Sequence, residues 1–173
     1  MHRFFKVLVL FCVITASVIA QNDKPTLVVG IVVDGWQQKH IDMLWNYFES
    51  GGIRLIAGEG TRYDNIKYNT VSTGIMSDVA TIMTGTVPYY HGITANSYYD
   101  RLSDKVYPMI FDANEIGIGT KNTYSAHYLL CSTFTDELMM LNKGKSKVYA
   151  IGIKPEATIM LGGHTAKSVA WID

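Results

Sequence analysis

Hydrophobic residues fall along this chain in blocks whose period changes from block to block. Residues 26–33 are apolar on both faces and rich in β-branched side chains, the pattern of a central parallel strand. Residues 37–49 place Ile41, Leu44, Trp45 and Phe48 at helical spacing, and Gly51-Gly52 supplies the stop. A short helix is expected over residues 53–57, broken by Gly58 and Gly60, and residues 62–69 alternate like a second strand. The next helix is predicted over residues 74–83, with Ser72 and Thr73 as N-terminal caps and Gly85 as its stop; Pro88 prevents resumption. Residues 98–112 read as a tyrosine-rich hairpin around Leu102-Ser103-Asp104-Lys105, and residues 113–123 as a loop holding Gly117 and Gly119. An amphipathic helix is predicted over residues 125–141, a strand over 146–153 and a helix over 155–161. A turn at Gly162-Gly163 then leads to a strand over 168–172. Strands alternating with helices predict an α/β fold: a doubly wound, mostly parallel sheet with helices on both faces.

Residues 1–20 interrupt that pattern. His2, Arg3 and Lys6 give a basic start, an apolar stretch follows over residues 7–19, and Val18-Ile19-Ala20 fits a small-residue cleavage site. The segment reads as a secretory signal peptide, short for a membrane span, so export to the periplasm or medium is expected without a stable membrane anchor. Cys12 follows the bulky Phe11, which argues against a lipoprotein cleavage box. After cleavage only Cys131 remains, which excludes an intrachain disulfide and a cysteine-based metal site. Removing Arg3 and Lys6 leaves 13 basic against 15 acidic residues, a balance that excludes a basic nucleic-acid surface. Residues 21–173 are therefore expected to form one domain or part of a larger one. The chain stops just after an apolar, strand-like run, so an incomplete protein is expected.

Candidate chemistry gathers where strands end and helices begin. Asp34 follows the first apolar run, where a carboxylate reaches a metal ion or simply caps the next helix. Ser72, Thr73 and Ser77 place hydroxyls around a helix N-terminus, a position that attracts anions. Thr73 and Ser77 are either phosphoryl-accepting nucleophiles or, respectively, a cap and a packed residue. Asn96 is an amide donor for an oxyanion or an ordinary turn residue, and Lys154 an anion ligand or a solvated strand end. His91 and His164, each beside glycine, read as structural.

Together these residues resemble the alkaline phosphatase superfamily, in its branch of type I phosphodiesterases, nucleotide pyrophosphatases and bacterial phosphate-irrepressible alkaline phosphatases. The run Val28-Val29-Gly30-Ile31-Val32-Val33-Asp34 matches the branch's opening strand, and Thr84 to Asn96 matches its T-G-x-x-P-x-x-H-G-I-x-x-N turn at every fixed position. Gly51-Gly52-Ile53-Arg54-Leu55, Leu129-Leu130-Cys131-Ser132-Thr133 with Asp136-Glu137-Leu138, residues 147–154, and Gly163-His164 with Ala170-Trp171-Ile172-Asp173 are similar to further shared segments. The resemblance implies the N-terminal part of an exported, metal-dependent phosphoric-ester hydrolase acting on small-molecule phosphate esters. It implies a two-zinc site, Asp34 as a zinc ligand, and Asn96 and Lys154 on the non-bridging phosphate oxygens.

Two positions depart from that pattern. At the family's spacing from Thr84-Gly85 the nucleophile falls at position 75, where this chain has Ile75; Thr73 and Ser77 lie two residues to either side. In a helix two residues are a rotation of about 200°, so neither replaces the hydroxyl without a change of register. Two residues after Lys154, where the bacterial phosphatases carry arginine, stands Glu156. The family's remaining zinc ligands come from a C-terminal portion beyond residue 173. Stable zinc binding and activity are therefore not expected of this chain alone. The alternatives are a catalytically inactive relative that serves as a binding or structural module, and a small scaffold whose likeness is architectural.

Overall fold

The computed structural model describes residues 25–63 and 66–172. The predicted leader lies outside these residues. The chain divides into two units, residues 1–36 and 37–173.

In the first unit the apolar run over residues 26–33 forms no strand. Leu27, Val29 and Ile31 are exposed at 78%, 70% and 73%. A central parallel strand is stable only with ladder partners on both edges and cover on both faces. Among the described residues this run has neither, so the expected strand is corrected here to an irregular segment. Gly35, at a φ of 71°, makes the turn after Asp34.

The second unit opens with α1 (Gln38–Leu44), a 3-10 turn (Trp45–Tyr47) and α2 (Ile53–Glu59). Arg54 of α2 donates to the Trp45 carbonyl at 2.7 Å and lies 5.2 Å above the Trp45 ring, joining the two elements by a charged hydrogen bond and a cation–π contact. The predicted strand over residues 62–69 is absent from its described residues. The chain continues as α3 (Ile75–Thr84), α4 (Pro88–His91) and an antiparallel hairpin of β1 (Ser97–Asp100) and β2 (Lys105–Pro108). Then follow α5 (Phe134–Leu141), β3 (Tyr149–Ile151), α6 (Pro155–Gly162) and β4 (Ser168–Ala170). Strands β3 and β4 pair in parallel, Ala150 opposite Val169, with α6 as the crossover. Among the described residues no helix is long and apolar enough to cross a membrane.

The core forms where α3 packs on α6. Met76, Val79 and Ala80 of α3 meet Ile159 and Met160 of α6, with Ile93, Ile110, Ala126 and Leu129 closing the cluster. Fully burying a Met or Ile side chain is worth about 1.5–3 kcal/mol relative to exposure, so this cluster carries the unit.

Two predicted boundaries change. The helix expected over residues 125–141 begins only at Phe134, because Thr133 and Asp136 make a reciprocal capping box there. Ala126 and Leu129 are buried from an irregular segment instead. Pro88 starts α4 rather than merely ending α3, since its missing N–H is harmless at the first helical position. Among the described residues, helices with one small parallel and one small antiparallel pair make an incomplete α/β core.

Candidate functional site

Helix α3 starts without a cap from its own neighbours. Its N-cap is Gly74, at a φ of 151° that disfavours any side chain. The predicted capping by Ser72 or Thr73 is therefore corrected. The Ser72 hydroxyl donates instead to Asp78 Oδ2 at 2.5 Å, and Thr73 is exposed. The cap comes from Asn96, twenty residues downstream, whose Oδ1 accepts the Met76 N–H at 3.2 Å. A Cβ at position 74 would stand 2.5 Å from that oxygen, so the close approach requires glycine. With Oδ1 used in this way, the Nδ2 group of Asn96 is left to donate elsewhere.

The turn before Asn96 is held by His91, which is fully buried. Its Nδ1 accepts the Ile93 N–H at 3.1 Å, so the ring hydrogen sits on Nε2 and is donated to Thr81 Oγ1 at 3.0 Å. Burial pushes the His91 pKa down, partly opposed by a backbone hydrogen bond. Gly85 and Gly92, both left-handed, end α3 and α4. The motif residues thus bring Asn96 onto the first turn of α3.

That first turn holds Ile75, the first helical residue and partly buried. Ser77, 1% exposed, turns into the core with Met76, Val79 and Ala80. Of the two hydroxyls proposed as nucleophiles, Ser77 is closed off from solvent and Thr73 lies outside the helix. Lys154 caps α6 with its backbone, its carbonyl accepting the Thr158 hydroxyl at 2.6 Å, and its side chain is exposed. Glu156 sits in the first turn of α6. Asp34 belongs to the other unit.

A second cluster escaped the sequence reading. Asp136 is 3% exposed, and its carboxylate accepts from the backbone N–H and hydroxyl of Thr133, from the N–H and Nδ1 of His164, and from the N–H and hydroxyl of Thr165. Desolvation raises its pKa, but the bonds from Thr133, His164 and Thr165 outweigh it and hold the group down to about 2. A Cβ at Gly163 would overlap Thr133 Oγ1 and the carboxylate. The Thr133-x-x-Asp136 spacing signals the capping box, but not that Gly163-His164-Thr165 would close on the same carboxylate. Beside this cluster lies a cavity of about 800 Å³ lined by Asp112, Tyr124, His127, His164, Lys167 and Trp171 among others. The Ser125 hydroxyl and the Asn114 N–H hold the Asp112 pKa down. On the hairpin, the Tyr98 hydroxyl bonds that of Tyr128 at 2.9 Å, and that bond pushes the Tyr98 pKa up to about 12.

A two-zinc centre takes three or four ligands per ion. Among the described residues no group of three or more His, Cys, Asp or Glu side chains gathers, so the donors present do not fit it.

Residues 28–145 match the family model for type I phosphodiesterase/nucleotide pyrophosphatase. The alkaline phosphatase PhoV of Synechococcus elongatus is 32% identical over 87% of this chain, and PafA of Elizabethkingia meningoseptica 29% identical over 87%. The crystal structure of wild-type PafA superposes with a TM-score of 0.81 over 87% of this chain and 30% of that one. A second PafA structure, TM-score 0.81 and 28% identical, carries substitutions of a threonine, an asparagine, a lysine and an arginine. The chain spans 28% of the length of both relatives. It has the PafA alkaline phosphatase fold over that part, and it belongs to the type I phosphodiesterase/nucleotide pyrophosphatase family of phosphoric-ester hydrolases.

Proposed function

We propose that residues 21–173 are the N-terminal part of an exported alkaline-phosphatase-like hydrolase, that residues 1–20 are its signal peptide, and that the α3 corner receives the phosphoryl group of a small phosphate ester. The observation that carries this reading is the Asn96 side chain seated on the first turn of α3. A helix N-terminus offers unpaired N–H groups and the positive end of its dipole, and Asn96 Nδ2 adds a donor beside them. Such donors stabilise the charge that grows on non-bridging oxygens. Lys154 adds a cation in this reading.

The relation to PafA supports the placement. Its substituted threonine and asparagine stand twenty-one positions apart, as Ile75 and Asn96 do here, and its lysine and arginine stand two apart, as Lys154 and Glu156 do. Asp34 takes the family's zinc-ligand position, and the complete enzyme uses a zinc pair. The described residues do not supply that pair, so no step is assigned to it.

A second reading, a catalytically inactive relative, is favoured by Ile75, which has no hydroxyl to attack phosphorus. Titration of the full chain with inorganic phosphate, followed by calorimetry, tests the corner. Binding that Asn96→Ala weakens about tenfold supports it, at roughly 1.4 kcal/mol for a lost charge-assisted bond; absence of binding sinks it. Hydrolysis of p-nitrophenyl phosphate or its bis-ester, with zinc added, separates the two readings. Turnover removes the inactive one, whereas phosphate binding without turnover retains it.

A further inference from the structure

Asn96 ends an irregular stretch, residues 92–96, between α4 and β1. No helix or ladder fixes that stretch from within, so the aim of the Asn96 side chain depends on what holds its two flanks. The Asn96 carbonyl accepts the Met109 N–H at 3.0 Å, which ties its backbone to the far end of the hairpin. The segment over residues 128–131 holds both flanks. Upstream, the Leu130 N–H donates to the His91 carbonyl at 3.0 Å and the Cys131 thiol to the Tyr90 carbonyl at 3.3 Å. Downstream, the Tyr128 and Tyr98 hydroxyls bond each other at 2.9 Å, two residues past Asn96.

The segment is itself anchored. Leu129 is 3% exposed in the core cluster, and Tyr128 packs against that cluster. A Cβ on Gly92 would come within 3.0 Å of the Tyr128 carbonyl, so the stretch begins hard against this segment. Two of the three ties reach α4, five and six residues before Asn96; the third reaches its downstream side. The cap bond from the Met76 N–H to Asn96 Oδ1 is 3.2 Å long, at the upper end of the range for N–H···O bonds. A shift of a few tenths of an ångström therefore breaks it.

We propose that Tyr128 is a positioning residue, whose bond to Tyr98 sets the aim of the Asn96 side chain at the start of α3. Tyr128 acts through Tyr98 and the backbone of Ser97. Its effect on phosphate rests on the phosphate-ester reading, whereas its effect on the helix cap does not.

Tyr128→Phe tests this, because it keeps the edge contact of the two rings, 5.3 Å apart, and removes only the hydroxyl. Hydrogen exchange of the Met76 amide should speed up about threefold to tenfold, the effect of losing one hydrogen bond, and the affinity of the full chain for inorganic phosphate should fall by a similar factor. Tyr98→Phe should act alike. In an Asn96→Ala background Tyr128→Phe should weaken phosphate binding no further, since the two act as one unit. The double variant Tyr98→Phe with Tyr128→Phe leaves neither hydroxyl unpaired, so its urea stability should return toward that of the unsubstituted chain while Met76 exchange stays fast. A bond that serves stability alone would move both together. Tyr99→Phe, which loses the hydroxyl bonded to Asp104 at the hairpin tip, is the control and should leave Met76 unchanged. Unaltered Met76 exchange in Tyr128→Phe, exchange that recovers with stability in the double variant, or an additive loss of phosphate affinity in the Asn96→Ala background would each overturn the proposal. If the unsubstituted chain binds no phosphate, the phosphate-ester reading falls, and Met76 exchange still decides what places Asn96.

Discussion

Helices α3 and α5 solve the same problem, four unpaired N–H groups at the start, by opposite means. Helix α5 caps itself: Thr133 and Asp136, three residues apart, satisfy each other's backbone. Helix α3 has glycine at its cap and borrows Asn96 from twenty residues away. A self-capped helix forms its end as it folds, whereas a borrowed cap exists only after the chain has closed around it. The borrowed arrangement also leaves an amide group with spare donors at the helix start, where an anion can meet it.

The largest break in that contrast should come from Asp136→Ala. The carboxylate accepts six hydrogen bonds from Thr133, His164 and Thr165, and removal leaves the buried donors of Thr133 unpaired and frees the part-buried ones of His164 and Thr165. A loss of about 3–5 kcal/mol is expected from the urea midpoint, in the range for breaking a buried charged network. A cost near 1 kcal/mol, that of a simple cap, would show the six bonds to be dispensable.

Gly74→Ala attacks the other end. The φ of 151° and the 2.5 Å approach of Asn96 leave no room for a Cβ. A cost of about 2–3 kcal/mol is expected, from backbone strain plus displacement of the cap, with phosphate binding falling in step. Unchanged stability would mean that Asn96 is not held against Gly74.

What the sequence made legible follows the same division between local and borrowed. The end of α3 was readable because Gly85 acts within a residue of it, whereas the short helix α4, opened by Pro88 and ended by Gly92, was read only as a turn. The hairpin was readable from its central turn. The helix start at Thr73 was misread because Ser and Thr are good caps in general, and nothing local reveals that Asn96 occupies the place. The helix over residues 125–141 was overextended because Ala126 and Leu129 supply apolar positions that a core can bury from an irregular segment. The apolar run over residues 26–33 reads as a strand from composition, but a parallel strand is made by its neighbours, and no ladder forms there. The Asp136–His164 pair spans twenty-eight residues and has no local signal beyond the capping box.

Acid should distinguish the two regions by pH. Asp136 has its pKa lowered to about 2, so its stabilisation is present above the unfolded value of 3.8 and is lost as pH falls through about 2. The loss is about 2 kcal/mol, read from stability measured by urea between pH 5 and pH 2. His91 is a base with a lowered pKa, so the folded state binds protons less readily than the unfolded chain. Its contribution is full above the unfolded value of 6.5 and declines as pH drops from there toward its lowered value. The turn region should therefore weaken in mildly acid solution and the Asp136 hub only in strong acid. Local hydrogen exchange at Ile93 and at Thr165 checks the order; simultaneous loss would merge the two regions into one titrating unit.

The smallest expected effect is the most discriminating for the corner. Asn96→Asp keeps an oxygen for the Met76 N–H and adds a negative charge at the start of α3, where the helix dipole favours it by about 0.3–1 kcal/mol. Stability should hold or rise slightly, whereas Asn96→Ala should lose about 1 kcal/mol as a cap. Phosphate binding should weaken about tenfold in the alanine variant, which lacks the Nδ2 donors, and fail in the aspartate variant, which replaces them with a like charge. A variant that is as stable as the unsubstituted chain yet blind to phosphate separates the capping role of Asn96 from its donor role. If Asn96→Asp instead binds phosphate normally, Asn96 is only a cap, and the two helix starts differ in where their caps come from but not in what they are for.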